Sequence, residues 1–171
     1  MGTERPGVQD ILAGDDWMKV GADRGMDIAE ISKQLAPLGR VSAGTLQVAM
    51  TMGEWLGQKL GLKSSTREER TFAVSYAVLV RALILALSSN RYAITALFDT
   101  PKGAFVEAQL PKDFRSLGGT LRVDVIEDGA ASVGLAAACE IRGQWFDWDK
   151  SKQMLEDVLE KTNLFVSHLQ S

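Results

Sequence analysis

Side-chain catalysis needs a nucleophile, a base or a set of metal ligands, and this chain holds few residues that could supply them. His168 is the only histidine and Cys139 the only cysteine. His168 lies near the end of the sequence on the exposed edge of the last helical stretch, so no Ser-His-Asp or Cys-His arrangement has a base in a structured centre. Cys139 falls in an alternating apolar run, which makes it a small core residue, and it has no second cysteine with which to form a disulfide. No cluster of His and Cys has the spacing of a metal site. Glu107, Asp124, Glu140 and Asp147 offer paired-carboxylate acid–base chemistry. They alternate with apolar residues, however, as on the solvated face of a sheet. Gly118-Gly119 precedes a strand and not a helix, so it lacks the helix N-terminus that a phosphate cradle requires. These residues predict no catalytic group, no metal and no cofactor, hence a protein that is not an enzyme.

Residues suited to binding are more distinct. Trp145, Phe146 and Trp148 crowd into Gly143–Lys150. Such a cluster serves either as a hydrophobic staple at a helix start or as a rim of aromatic anchors, since Trp is rich in binding hot spots. Trp17 and Met18 are adjacent bulky residues in a polar surrounding, so they dock on the protein's own body or on a partner. Gly53, Gly57 and Gly61 recur every four residues, which on a helix makes a smooth strip for close backbone approach; the alternative is that they loosen and end a short helix. The expected partner or ligand contacts are therefore Trp17, Met18, Gly53, Gly57, Trp145 and Trp148.

The elements that must hold these residues follow from periodicity. Residues 1–26 mix charges and glycines with few periodic apolar positions, which predicts an irregular arm, dispensable for folding, with at most one short helix near Val8–Leu12. A single domain then runs over 27–171. Asp27 with Glu30 opens a helix carrying Ile28, Ile31, Leu35 and Leu38, which Pro37 and Gly39 end. Ser42–Gly61 fits a helix or a strand followed by a helix, so 27–65 is read as a helical segment. Thr66 with Glu69 resembles a second capping box, predicting one long helix from Thr66 to Leu87 that is apolar nearly all round. It must be covered on more than one side, by the N-terminal helices or by another chain.

Tyr92–Phe98 and Phe105–Leu110 then alternate around the turn Thr100-Pro101-Lys102-Gly103. Leu121–Val125 and Val133–Ile141 alternate around Asp128-Gly129. Asp147 starts a closing helix with Met154, Leu155, Val158, Leu159, Thr162, Phe165 and Leu169 on its buried stripe. The fold class is α+β: a four-stranded antiparallel meander against a long C-terminal helix, preceded by two or three helices.

Arg115-Ser116-Leu117-Gly118 leading into a strand and hairpin, then Phe146-Asp147-Trp148-Asp149-Lys150 opening a helix, resembles small uncharacterised bacterial proteins with a meander and a closing helix. The same ending is similar to the C-terminal half of START-like (Bet v 1-like) helix-grip domains. The resemblance spans about Thr66–Leu159 and implies an apolar small molecule or lipid held between sheet and helix.

At 46% hydrophobic and 24% charged residues the composition is that of a globular protein. The net charge of −3 and pI of about 5.2, with scattered basic residues, argue against a nucleic-acid partner. Met1–Asp16 lacks the basic start and apolar run of a signal peptide, and Phe72–Leu87 is too short for a membrane span and contains Arg81. A cytoplasmic location is expected. The leading functional expectation is a non-catalytic interaction or assembly protein, docking on a protein partner or on itself. A helix-grip binder of an apolar molecule and a secretion-chaperone-like binder of an unfolded client are the alternatives.

Overall fold

The computed structural model describes residues 5–14, 16–40, 65–112, 118–129, 131–141 and 148–171. Three short helices come first: α1 (Val8–Leu12), α2 (Met18–Ala22) and α3 (Ile28–Leu35), with a 3-10 turn over Ala36–Arg40. Asp27 caps α3 as its spacing predicts, its Oδ1 accepting from the N–H groups of Ala29 and Glu30. Two helices therefore stand within residues 8–22, where the sequence suggests at most one. Val8 and Ile11 join the core. Ser42–Gly61, with Gly53 and Gly57, lies outside the described residues.

The predicted helix from Thr66 to Leu87 divides in two. Ser65–Phe72 is strand β1, and the helix α4 spans Tyr76–Ser89. The Thr66/Glu69 pair thus sits inside a strand. The N-cap is Ser75, whose Oγ accepts from the Val78 N–H at 3.4 Å. Arg67, Glu68, Glu69 and Arg70 are good helix formers in isolation, but pairing with β5 overrides a preference worth only tenths of a kcal/mol per residue.

The meander follows as β2 (Ala93–Thr100), β3 (Gly103–Leu110), β4 (Gly119–Glu127) and β5 (Val133–Ile141), with the C-terminal helix α5 over Trp148–Gln170. Each strand pairs antiparallel with the next, and β1 adds to the far side of β5. Among the described residues the sheet therefore has five strands, in the order β1-β5-β4-β3-β2, not four. Gly103 begins β3 because no other residue fits there: a Cβ would lie 1.7 Å from the Val125 carbonyl oxygen.

One face of the sheet carries Val106, Ala108, Leu121, Val123, Val125, Leu135, Ala137 and Cys139, all buried. Helices α4 and α5 lie side by side on that face, α4 against β2, β3 and β4, and α5 against β1 and β5. Leu79, Val80 and Ala82–Leu87 of α4 are wholly buried. The all-round apolar helix is covered by the sheet, by α5 and by the N-terminal helices α1 and α2. Gly21 makes that last contact close, since a Cβ there would lie 3.0 Å from Leu85 Cδ2. Long-range polar ties hold the N-terminal helices down. Arg81 Nε donates to the Ile11 carbonyl at 2.8 Å, and the Val8 N–H donates to the Asp99 carboxylate at 3.0 and 3.2 Å.

Candidate functional site

Trp17 and Met18 turn inward. They are 4% and 6% exposed, Trp17 Nε1 donates to the Leu12 carbonyl, and Met18 Sδ accepts from Ser32 Oγ. Both sit in the one core cluster of the described residues. Trp148 is the first residue of α5, far along the chain from that pair. Trp145, like Asp147, lies outside the described residues, as do Gly53 and Gly57. The structure thus gathers the two N-terminal residues into the protein's own body.

The groups with chemical potential are dispersed. Cys139 is 1% exposed, and burial pushes its thiol up to about 11 despite a hydrogen bond with Ser151, so it stays protonated at neutral pH. Glu107 and Arg122 face each other on β3 and β4 and pair at 3.1 Å, while Glu107 also accepts from Thr95 Oγ1. Burial raises the Asp124 carboxyl, against the opposing charge of Arg67. His168 Nε2 accepts a hydrogen bond from Arg24, whose guanidinium lies over the Phe165 ring. Among the described residues no three His, Cys, Asp or Glu side chains gather to hold a metal, and no helix is long and apolar enough to cross a membrane.

Two surface features have the geometry of binding sites. The first is a cleft of about 580 Å³ where the ends of α2 and α4 meet α3 and α5, lined by Arg24, Met26, Ile31, Ser88, Arg91 and Phe165 among others. Two helices end there with the same hydrogen-bond pattern. After α2, the N–H groups of Gly25 and Met26 donate to Ala22 and Gly21; after α4, those of Arg91 and Tyr92 donate to Ser88 and Leu87. The pattern demands a left-handed residue. Gly25 supplies it at φ 79°, and Arg91 supplies it at φ 59° with a full side chain. The Ser88 hydroxyl beside it is buried without a hydrogen-bond partner among the described residues.

The second feature is the outer edge of β1. This eight-residue strand pairs with β5 along its whole length and, among the described residues, has no strand on its other side. Among the described residues, no hydrogen bond from another element reaches its outward backbone groups. An edge of unpaired N–H and C=O groups is a template for another strand. Its sequence signal, alternation of Thr66, Glu68, Arg70 and Phe72 toward the helices, was hidden by the resemblance of Thr66/Glu69 to a capping box.

The chain matches no family model and no curated protein sequence.

Proposed function

We propose that this chain is a non-catalytic interaction protein that joins another polypeptide by strand addition at β1. The observation that carries the reading is the bare edge itself, eight residues whose outward backbone groups have no partner among the described residues. Surplus apolar surface, the first reason to expect association, is weaker support, because α4, Trp17 and Met18 are covered within the chain. An apolar ligand gripped between sheet and C-terminal helix is disfavoured for a similar reason. The inner face is filled by α4 and α5, with Leu121, Leu135, Leu155 and Leu159 closely packed there.

A photoreactive benzophenone amino acid introduced at Thr71, on the exposed part of β1, tests the reading in cells of the source organism. Irradiation is expected to yield a protein adduct there and none from the same group at Ala93 on the opposite edge. Protein adducts at Ala93 alone, or at neither position, overturn it.

The cleft supports a second reading, a small-molecule site, through the backbone strain accepted at Arg91. Arg91→Gly relieves that strain and is expected to stabilise the fold by several tenths of a kcal/mol. Under this reading it also abolishes the thermal stabilisation given by a bound small anion, measured by calorimetry.

A further inference from the structure

Resting on the strand-addition reading, we infer that the strand which pairs with β1 is β1 of a second copy of this chain, related by a two-fold axis through Glu69.

The argument starts from the charges. On the outer face of the sheet Arg67 and Glu69 form an ion pair within the strand. On the helix-side face Glu68 and Arg70, opposite Ala137 and Leu135 of β5, carry one charge of each sign two residues apart and form no ion pair among the described residues. Directly opposed residues in an antiparallel pair share a face, so a two-fold axis normal to the sheet can match only residues of the same parity. With the axis at Glu69, Glu68 stands opposite the second copy's Arg70 and Arg70 opposite its Glu68. Each of these charges meets one complement, and symmetry makes two such pairs across the interface. The two Glu69 carboxylates then approach across the axis, each already neutralised by its own Arg67. Thr66 falls opposite Phe72, and Arg67 opposite Thr71.

The surrounding elements permit this approach. Helix α5 lies over both β1 and β5. With strands ~4.8 Å apart, an axis half a spacing beyond β1 puts the two α5 helices about 10 Å apart, which is a packing distance for helices. The product is one continuous sheet of ten strands, five from each copy. A short ladder buries little area, so the dimer forms reversibly and depends on concentration and salt.

Sedimentation equilibrium of the full chain is the test, run from micromolar to millimolar concentration. The expected result is reversible growth from 18.6 kDa to twice that mass. Glu68→Arg alone and Arg70→Glu alone each turn two attractive contacts into two repulsive ones, weakening the dimer by about tenfold or more on typical cross-strand values. The double variant Glu68→Arg/Arg70→Glu restores it. Circular dichroism on each variant checks that the fold is kept, and hydrogen exchange of the β1 amides, slowed in the dimer, reads the same site without mutation. A protein monomeric throughout, or a dimer indifferent to the single reversals, overturns the inference. A monomer that still yields the Thr71 adduct with a different protein overturns self-pairing and leaves strand addition standing.

Discussion

The two edge strands of the sheet, β1 and β2, are eight residues each, and the chain treats them in opposite ways. The β2 edge is tied down at both ends. The 3-10 turn and α3 lie against it, Gln34 Oε1 accepts from the Ile94 N–H, and a register shift between Ile94 and Ala96 interrupts its ladder. At the far end Arg5 donates to the Thr100 and Pro101 carbonyls, and Asp99 anchors the start of α1. Among the described residues the β1 edge has none of this, and it carries four consecutive charged residues. Both devices keep an edge from indiscriminate pairing, but only the second leaves backbone groups accessible to a chosen strand. Cover removes a site, whereas charge makes it selective.

Stripping the cover should have the largest effect. Deleting residues 1–25 removes Val8, Ile11, Trp17 and Met18 from the core and unroofs α4 and the end of β2 together. Core truncations cost ~2–5 kcal/mol each, and a typical domain has only ~5–15 kcal/mol in all. The expected outcome is loss of cooperative unfolding in calorimetry; a chain that melts as before would show that the N-terminal helices are not part of the fold.

Alkali attacks the same region reversibly. Burial pushes both Tyr76, beside Asp99 and Arg5, and Tyr92, just before β2, up to about 12. Because the folded-state values lie above the unfolded value near 10, the unfolded chain releases these protons first, and stability falls as pH rises through 10 to 12. Urea unfolding at pH 8 and pH 11 measures the decline, and Tyr76→Phe should flatten it.

Smaller changes separate the edges more finely. Asp99→Ala removes the acceptor for the Val8 N–H and should destabilise by about 1 kcal/mol in chemical denaturation, a usual capping value. Gln34→Ala should cost less, under about 1 kcal/mol, and speed exchange of the Ile94 amide while leaving β1 amides unchanged. Smallest of all, Glu68→Ala should alter the stability of the isolated chain by less than about 0.5 kcal/mol, since the half-buried Glu68 side chain makes no ion pair among the described residues. A large loss there would mean that β1 is held by its charges and is not a spare edge.

How much of this was legible in the sequence depended on whether a segment's own pattern matched its tertiary surroundings. The meander was readable because Leu121, Val123 and Val125 alternate and turns stand between the runs. The stripe of α5, with Leu155, Val158, Leu159, Thr162 and Phe165 buried, was readable for the same reason. β1 was not, because a strand at an edge beside a helix need bury little, and Phe72 is its one buried apolar residue. Helices α1 and α2 leave little trace in the sequence because each is only five residues long, too short to repeat a pattern, although Val8 and Ile11 lie on one helical face. Of the expected contact residues, Trp17 and Met18 offered two docking partners, and the structure sets them against the chain's own core. The bare edge had no motif at all, since an unpaired strand side is a property of topology.

The composition of β1 also bears on how the chain comes into being. Each strand of the meander pairs with its neighbour in sequence, but β1 must wait for β5, with Ser65 pairing to Glu140. At typical synthesis rates of ~5–20 residues per second, the separation amounts to roughly 4–15 s during which β1 exists and its template does not. A strand rich in Val and Ile would spend that interval as an aggregation hazard. Arg67, Glu68, Glu69 and Arg70 keep it hydrated until β5 is made, so the residues that mark the finished edge also let the unfinished chain wait.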